Sequence, residues 1–134
     1  MGLRAAHIPA VGLALMGGAC APVCGDCLTD YSKFDYLGVE TRLLDDDIVN
    51  FRVRMIGTES AVDVSEYAEC AAAQYTLIRG YGFARHVRTT VSQTEDIWLG
   101  DAYYTISAAL PRGIKQIDAE VVVAACNENG IPTV

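Results

Sequence analysis

The chain has 134 residues, with 17 acidic side chains against 10 basic ones and a formal charge of −7. At 51% hydrophobic, 20% charged and a mean hydropathy of +0.22 it is too apolar for a disordered chain and has the size of one domain with one core. Its length excludes a barrel enzyme or a two-domain dehydrogenase, and its acidity argues against nucleic acid as the main partner.

The N-terminus reads as an export signal. Met1 to Arg4 carries one positive charge, Ile8 to Met16 is apolar, and Gly17, Gly18 and Ala19 are small. The apolar run is shorter than the roughly 18 to 20 residues that span a bilayer, and His7 and Pro9 interrupt it. Small residues followed at once by Cys20 resemble the processing site of bacterial lipoproteins, in which a cysteine is acylated and becomes the first residue. Gly17 stands where that pattern prefers Leu. Acyl chains contribute about 0.8 kcal/mol per buried methylene, so an acylated Cys20 anchors a protein without a spanning helix. By resemblance to enterobacterial sorting, Ala21 points to the outer membrane. The expected division is a signal peptide over 1–19, a Cys-rich tether over 20–33 and a single domain over 34–134. The alternative is an unanchored periplasmic protein.

With Cys20 on lipid, Cys24, Cys27, Cys70 and Cys126 are left, an even number for an oxidising compartment. Four cysteines allow three pairings, and spacing does not choose among them. Cys24-Gly-Asp-Cys27 has the form of a redox dithiol, but it lies in a Pro/Gly segment with no helix to lower a thiol pKa, so a structural staple is the expectation. Leu28 after Cys27 excludes a haem attachment site.

Beyond Tyr31, Val39, Thr41 and Leu43 alternate with Glu40 and Arg42. After Asp45, Asp46 and Asp47, Phe51, Val53 and Met55 alternate with Arg52 and Arg54, so the pattern predicts a hairpin. The three aspartates lack the spaced ligands of a calcium loop and read as a solvated turn. After Gly57 a helix is expected, opened by Asp63 with Glu66 as a capping box or by Ser65, and stopped at Gly80. Its face of Val64, Tyr67, Ala68, Ala71, Ala72 and Tyr75 is narrow enough to lie close on a sheet, with Cys70 near the seam as a disulfide partner or a small core residue. Phe83, Val87 and Val91 predict a third strand and Ala102 to Leu110 a fourth, with Ser92 to Gly100 as a loop between them. Asp118 is expected to cap a helix over Ala119 to Asn127 that ends at Gly130, although three valines there favour a strand.

Phe51-Arg-Val53, then Gly57, then Ala71 to Ala73 and Leu77, then Gly80, Tyr81 and Phe83 carry a resemblance. The stretch is similar to a family of small proteobacterial lipoproteins of unknown function, of Caulobacter type, which joins a Phe-Arg-Val strand, a "RAAELTL"-like helix and a "GYD-F"-like turn. The likeness covers residues 36–92 and extends toward Asp118 and Ala119. Gln74 and Gly82 depart from it. It implies an envelope address and a fold, and no catalytic residue.

No nucleophile elbow, metalloprotease helix, phosphate loop or EF-hand occurs, so no catalytic residue, metal or cofactor is expected. If the strands pair as read, the face opposite Phe51, Val53, Phe83 and Val87 collects Arg42, Arg52, Arg54, His86 and Arg88 beside Tyr103, Thr105 and Ser107. Such a stripe suits an anionic ligand or an acidic envelope protein. The expected whole is an α+β domain of two layers, element order ββαββα, with an antiparallel sheet covered on one face by the Ala-rich helix. It reads as a noncatalytic binding, assembly or sensing module of the envelope. The alternatives are a cysteine-based redox or stress sensor and a small periplasmic enzyme.

Overall fold

The computed structural model describes residues 33–134 and, before them, Gly2 alone. Cys20, Cys24, Cys27 and the expected signal peptide lie outside the described residues. The elements are β1 (Asp35–Leu43), β2 (Ile48–Ile56), α1 (Ala61–Ile78), β3 (Phe83–Thr94), β4 (Ile97–Ser107), β5 (Gln116–Asp118) and α2 (Ala119–Glu128). The domain is therefore α+β as expected, but its element order is ββαβββα. All five strands form one antiparallel sheet in the order β1-β2-β4-β3-β5.

The aspartate turn closes the first hairpin, with the Leu44 and Asp45 amides both donating to the Ile48 carbonyl, at 2.9 and 3.3 Å. In β2 the period of two sends Val49, Phe51, Val53 and Met55 to one face, each with no exposed surface, and leaves Arg52 and Arg54 in solvent. The helix α1 covers that inner face through Val64, Tyr67, Ala68, Ala71 and Ala72. Its seat is close. A Cβ on Gly100 of β4 would stand 2.8 Å from methyls of both Val53 and Val64, so the sheet has no side chain where the helix crosses.

The start of α1 differs from the sequence reading. Ser60 is the N-cap, accepting from the Val62 amide at 3.2 Å, and Asp63 lies inside the first turn, where it accepts from the Thr58 hydroxyl. Asp63 and Ser65 both favour caps, but Ser60 lies nearer the Gly57 turn, where φ is +95°. The helix ends as expected, at Arg79 with Gly80 at φ +80°. Asp118 caps α2 by accepting from the Glu120 and Val121 amides. Cys126 of α2 is joined to Cys70 of α1 by a disulfide, with both residues buried.

Two further corrections concern β3 and β4. The segment Ser92 to Gly100 is not a loop. The strands run on to a two-residue turn at Glu95 and Asp96, with Glu95 at φ +55° and Thr94 paired to Ile97. Polar Ser92, Gln93 and Thr94 disguise a strand because this end of the hairpin projects into solvent. At its other end β4 stops at Ser107 rather than Leu110, and the chain then bends toward β5, a three-residue strand too short to leave a periodic signature.

Candidate functional site

The sheet has an inner face under the helices and an outer face on which no described element packs. On the outer face, β1 contributes Glu40 and Arg42, β2 contributes Arg52 and Arg54, β4 contributes Asp101 and Tyr103, and β3 contributes Arg85 and Arg88. Arg42 pairs with Glu40 at 2.6 Å, and the Arg52 Nε lies 3.8 Å from the Asp101 carboxylate, both pairs half exposed. Asp101 also accepts from the Asn50 amide at 2.7 Å, a contact that holds the carboxylate in place beneath the arginines. The Arg88 guanidinium stands over the Tyr103 ring, 5.1 Å from its centre. Arg54 and Arg85 have no carboxylate partner among the described residues. The twist of the sheet hollows this face into a groove of about 690 Å³ lined by Glu40, Arg52, Arg54, Thr90, Ser92 and Asp101.

Of the five residues assigned to the stripe, Arg42, Arg52, Arg54 and Arg88 lie together and His86 does not. Between His86 and Arg88 the register with β4 shifts, so Val87 is an extra residue in a β-bulge. His86 is opposite Tyr104 and Ala84 opposite Ile106, all on the inner face, whereas Arg88 is opposite Tyr103 on the outer one. The bulge inverts the alternation partway along the strand. Phe83 accordingly turns outward with Ser107, and Val87 is 50% exposed, so neither is a core residue as expected. Arg85 joins the stripe in their place. Nothing in the local sequence announces a bulge, because it is a relation between two strands.

The displaced His86 enters a cleft on the inner face, about 510 Å³ in volume, walled by Ser65 and Glu69 of α1, His86 and Thr89 of β3, Tyr104 of β4 and Lys115 before β5. The His86 Nε2 lies 2.7 Å from the Thr89 hydroxyl, and its ring meets the Tyr104 ring edge-on at 5.2 Å. The His86 amide donates to the Lys115 carbonyl at 3.0 Å, which fixes Lys115 at the rim with φ +61°. Burial and then the Lys115 charge hold the His86 pKa below its usual value. Burial and then the neighbouring Glu66 push Glu69 up, while burial and then Glu69 push the Tyr104 phenol up. Sequence reasoning missed the cleft. The available signal was Tyr104 itself, an inward tyrosine between Ala102 and Ile106 whose hydroxyl needs a partner.

Among the described residues no three His, Cys, Asp or Glu side chains group as metal ligands, and no helix is long and apolar enough to cross a membrane. These features define a two-layer α+β domain with an open basic sheet face on one side and a polar cleft on the other. The chain belongs to the family of the YNQ4 C-terminal domain, whose model matches residues 36–130. It is also 26% identical over 87 residues to an "uncharacterized 26.9 kDa protein in nqo8 5'region" of Paracoccus denitrificans. That alignment takes in 65% of this chain and 34% of the relative, so the chain matches about a third of the relative's length. No solved structure matches. The match is consistent with the expectation of a family of unknown function.

Proposed function

We propose that this domain is a noncatalytic binding module of the cell envelope, held at a membrane surface by acylated Cys20, whose outer sheet face captures a partner protein through acidic groups. The observation that carries the reading is the arginine face. In a chain of net charge −7, Arg54, Arg85 and Arg88 stand exposed or half-exposed on one sheet surface without a carboxylate partner among the described residues. Guanidinium groups in such a row match carboxylates bidentately and attract them over a Debye length of about 8 Å at physiological salt. The Tyr103 ring beneath Arg88 adds an aromatic anchor of the kind that dominates interface energies.

The test is cross-linking in intact cells followed by purification of the full chain, with wild type beside R54E/R85E/R88E. Loss of the captured acidic protein in the variant, with an unchanged melting temperature, is the expected result, together with release of the wild-type complex as salt rises. Capture that survives the charge reversal overturns the assignment of this face. Anchorage is tested apart from it, by the intact mass of membrane-purified protein. A chain that begins at Cys20 and carries acyl chains is expected, with the lipid absent from C20S.

The disulfide bears on the redox alternative. Cys70 and Cys126 are 1% and 3% exposed, so this pair is shielded from a thiol reductant and reads as a staple between the two helices.

A further inference from the structure

The loop that carries the chain from β4 to β5 holds apolar side chains in solvent although its backbone is well braced. The Gln116 side-chain amide donates to the carbonyls of Pro111 and Gly113, the latter at 2.6 Å. A Cβ on Gly113 would lie 3.8 Å from the Arg85 Cδ, so the loop rests on β3. Gly113 and Lys115 have φ of +106° and +61°, and Lys115 occupies a region that residues other than glycine rarely enter. On this braced loop Ile114 is 78% exposed and Leu110 63%. Val87 adds to them. The His86 amide donates to the Lys115 carbonyl and the two segments run antiparallel, so Val87, 50% exposed, follows His86 on the side where Ile114 precedes Lys115.

Charge separates this patch from other exposed apolar residues. Leu43 and Leu44 precede Asp45, Asp46 and Asp47, Val62 precedes Asp63, and Val121 follows Glu120. Residues 108–117 hold Arg112 and Lys115 and no acid, a local charge of +2 in a chain of net charge −7. Both cations are exposed, and neither has a carboxylate partner among the described residues. Exposed aliphatic side chains beside unpaired cations are the two halves of an interfacial membrane contact. The apolar groups enter the boundary between headgroups and acyl chains, and the cations meet the lipid phosphates. A protein partner would need a shaped pocket for each aliphatic group, whereas a fluid bilayer accepts them from a projecting loop.

We infer that the loop of residues 110–115 docks on an anionic lipid surface, with Leu110 and Ile114 entering the interface and Arg112 and Lys115 pairing with headgroup phosphates. The contact depends neither on acylated Cys20 nor on Arg54 and Arg88 of the outer face, so it and the proposed function can fail separately.

The experiment is sedimentation of the purified full-length chain carrying C20S, which removes the acylation site, with vesicles of phosphatidylglycerol and phosphatidylcholine or of phosphatidylcholine alone. Partition onto the anionic vesicles is expected, weakened about thirtyfold in R112Q/K115Q and at least tenfold in L110S/I114S. The four side chains are exposed, so both variants are expected to keep the melting temperature. A second measurement locates the contact. With a spin-labelled lipid in anionic nanodiscs, the amides of Arg112 to Lys115 are expected to broaden more than those of Glu95 and Asp96, which lie at the other end of β4, about 33 Å away. Partition that both variants retain, or loop amides broadened no more than those of that turn, overturns the docking. Equal partition onto pure phosphatidylcholine overturns the role of the cations, and absence of partition overturns the lipid and leaves the loop to an acidic protein.

Discussion

The two faces of the sheet are built from the same strands, and each alternate residue decides between them. Under α1 the inner face is dry and tightly filled, with Phe51 edge-on to both Tyr75 and Tyr104 at 5.7 and 6.0 Å and no side chain on Gly100. The outer face carries the arginines and has no described element across it. The difference teaches that stability and recognition are separable here by parity along a strand. At the His86 cleft a bulge breaks that parity and polar groups lie inside.

The comparison is broken most severely by emptying the dry side. Phe51→Ala removes a fully buried ring at the centre of the core and is expected to cost about 3–5 kcal/mol, read from the urea midpoint. Next comes the staple. C70A/C126A releases a cross-link that spans 56 residues and fastens α2, whose other packing is on β5 and α1, with an expected loss of about 2–4 kcal/mol in the same measurement.

The cleft gives a smaller effect with a defined sign. Because the folded His86 pKa lies below its ordinary 6.5, the unfolded chain takes up the proton first as the solution is acidified. Its contribution is complete above 6.5 and is lost as pH falls from there through the folded value, so His86→Gln should flatten that part of a stability profile. Glu69 runs the other way. Its folded pKa lies above 4.5, so its contribution declines as pH rises through that window, and Glu69→Gln should stabilise the protein at neutral pH but not near pH 4. Glu66, Tyr104 and Lys115 also face this pair, so both profiles are best compared at fixed ionic strength. The smallest effect belongs to the outer face, where R54E/R85E/R88E, which breaks no ion pair among the described residues, should shift stability by no more than about 0.5 kcal/mol.

Local chemistry carried much of this architecture. The Phe51-Val53-Met55 alternation, the Ala-rich helix with its Gly80 stop, and the Asp118 cap that prevails over Val121 to Val123 were all legible, because each is decided within a few residues. The arginines of β2 were legible for the same reason. What escaped was set by partners distant in sequence. The bulge that moves His86 exists only in the pairing of β3 with β4, and β5 exists only because β3 offers it three residues of edge. Glu69 belongs to a site for which no contiguous motif could have accounted, since its neighbours come from both sides of two turns.

The sheet ends in β1 on one side and, beyond the three residues of β5, in β3 on the other, and each of these two strands contains a bulge, at Leu37 and at Val87. An unpaired strand edge is a template on which another chain can add. An extra residue in each edge strand breaks the run of evenly spaced amides and carbonyls that such addition needs, and Thr89 to Thr94 makes the rest of the β3 edge polar. The irregularity that aims His86 into the cleft therefore also guards the domain against edge-to-edge aggregation.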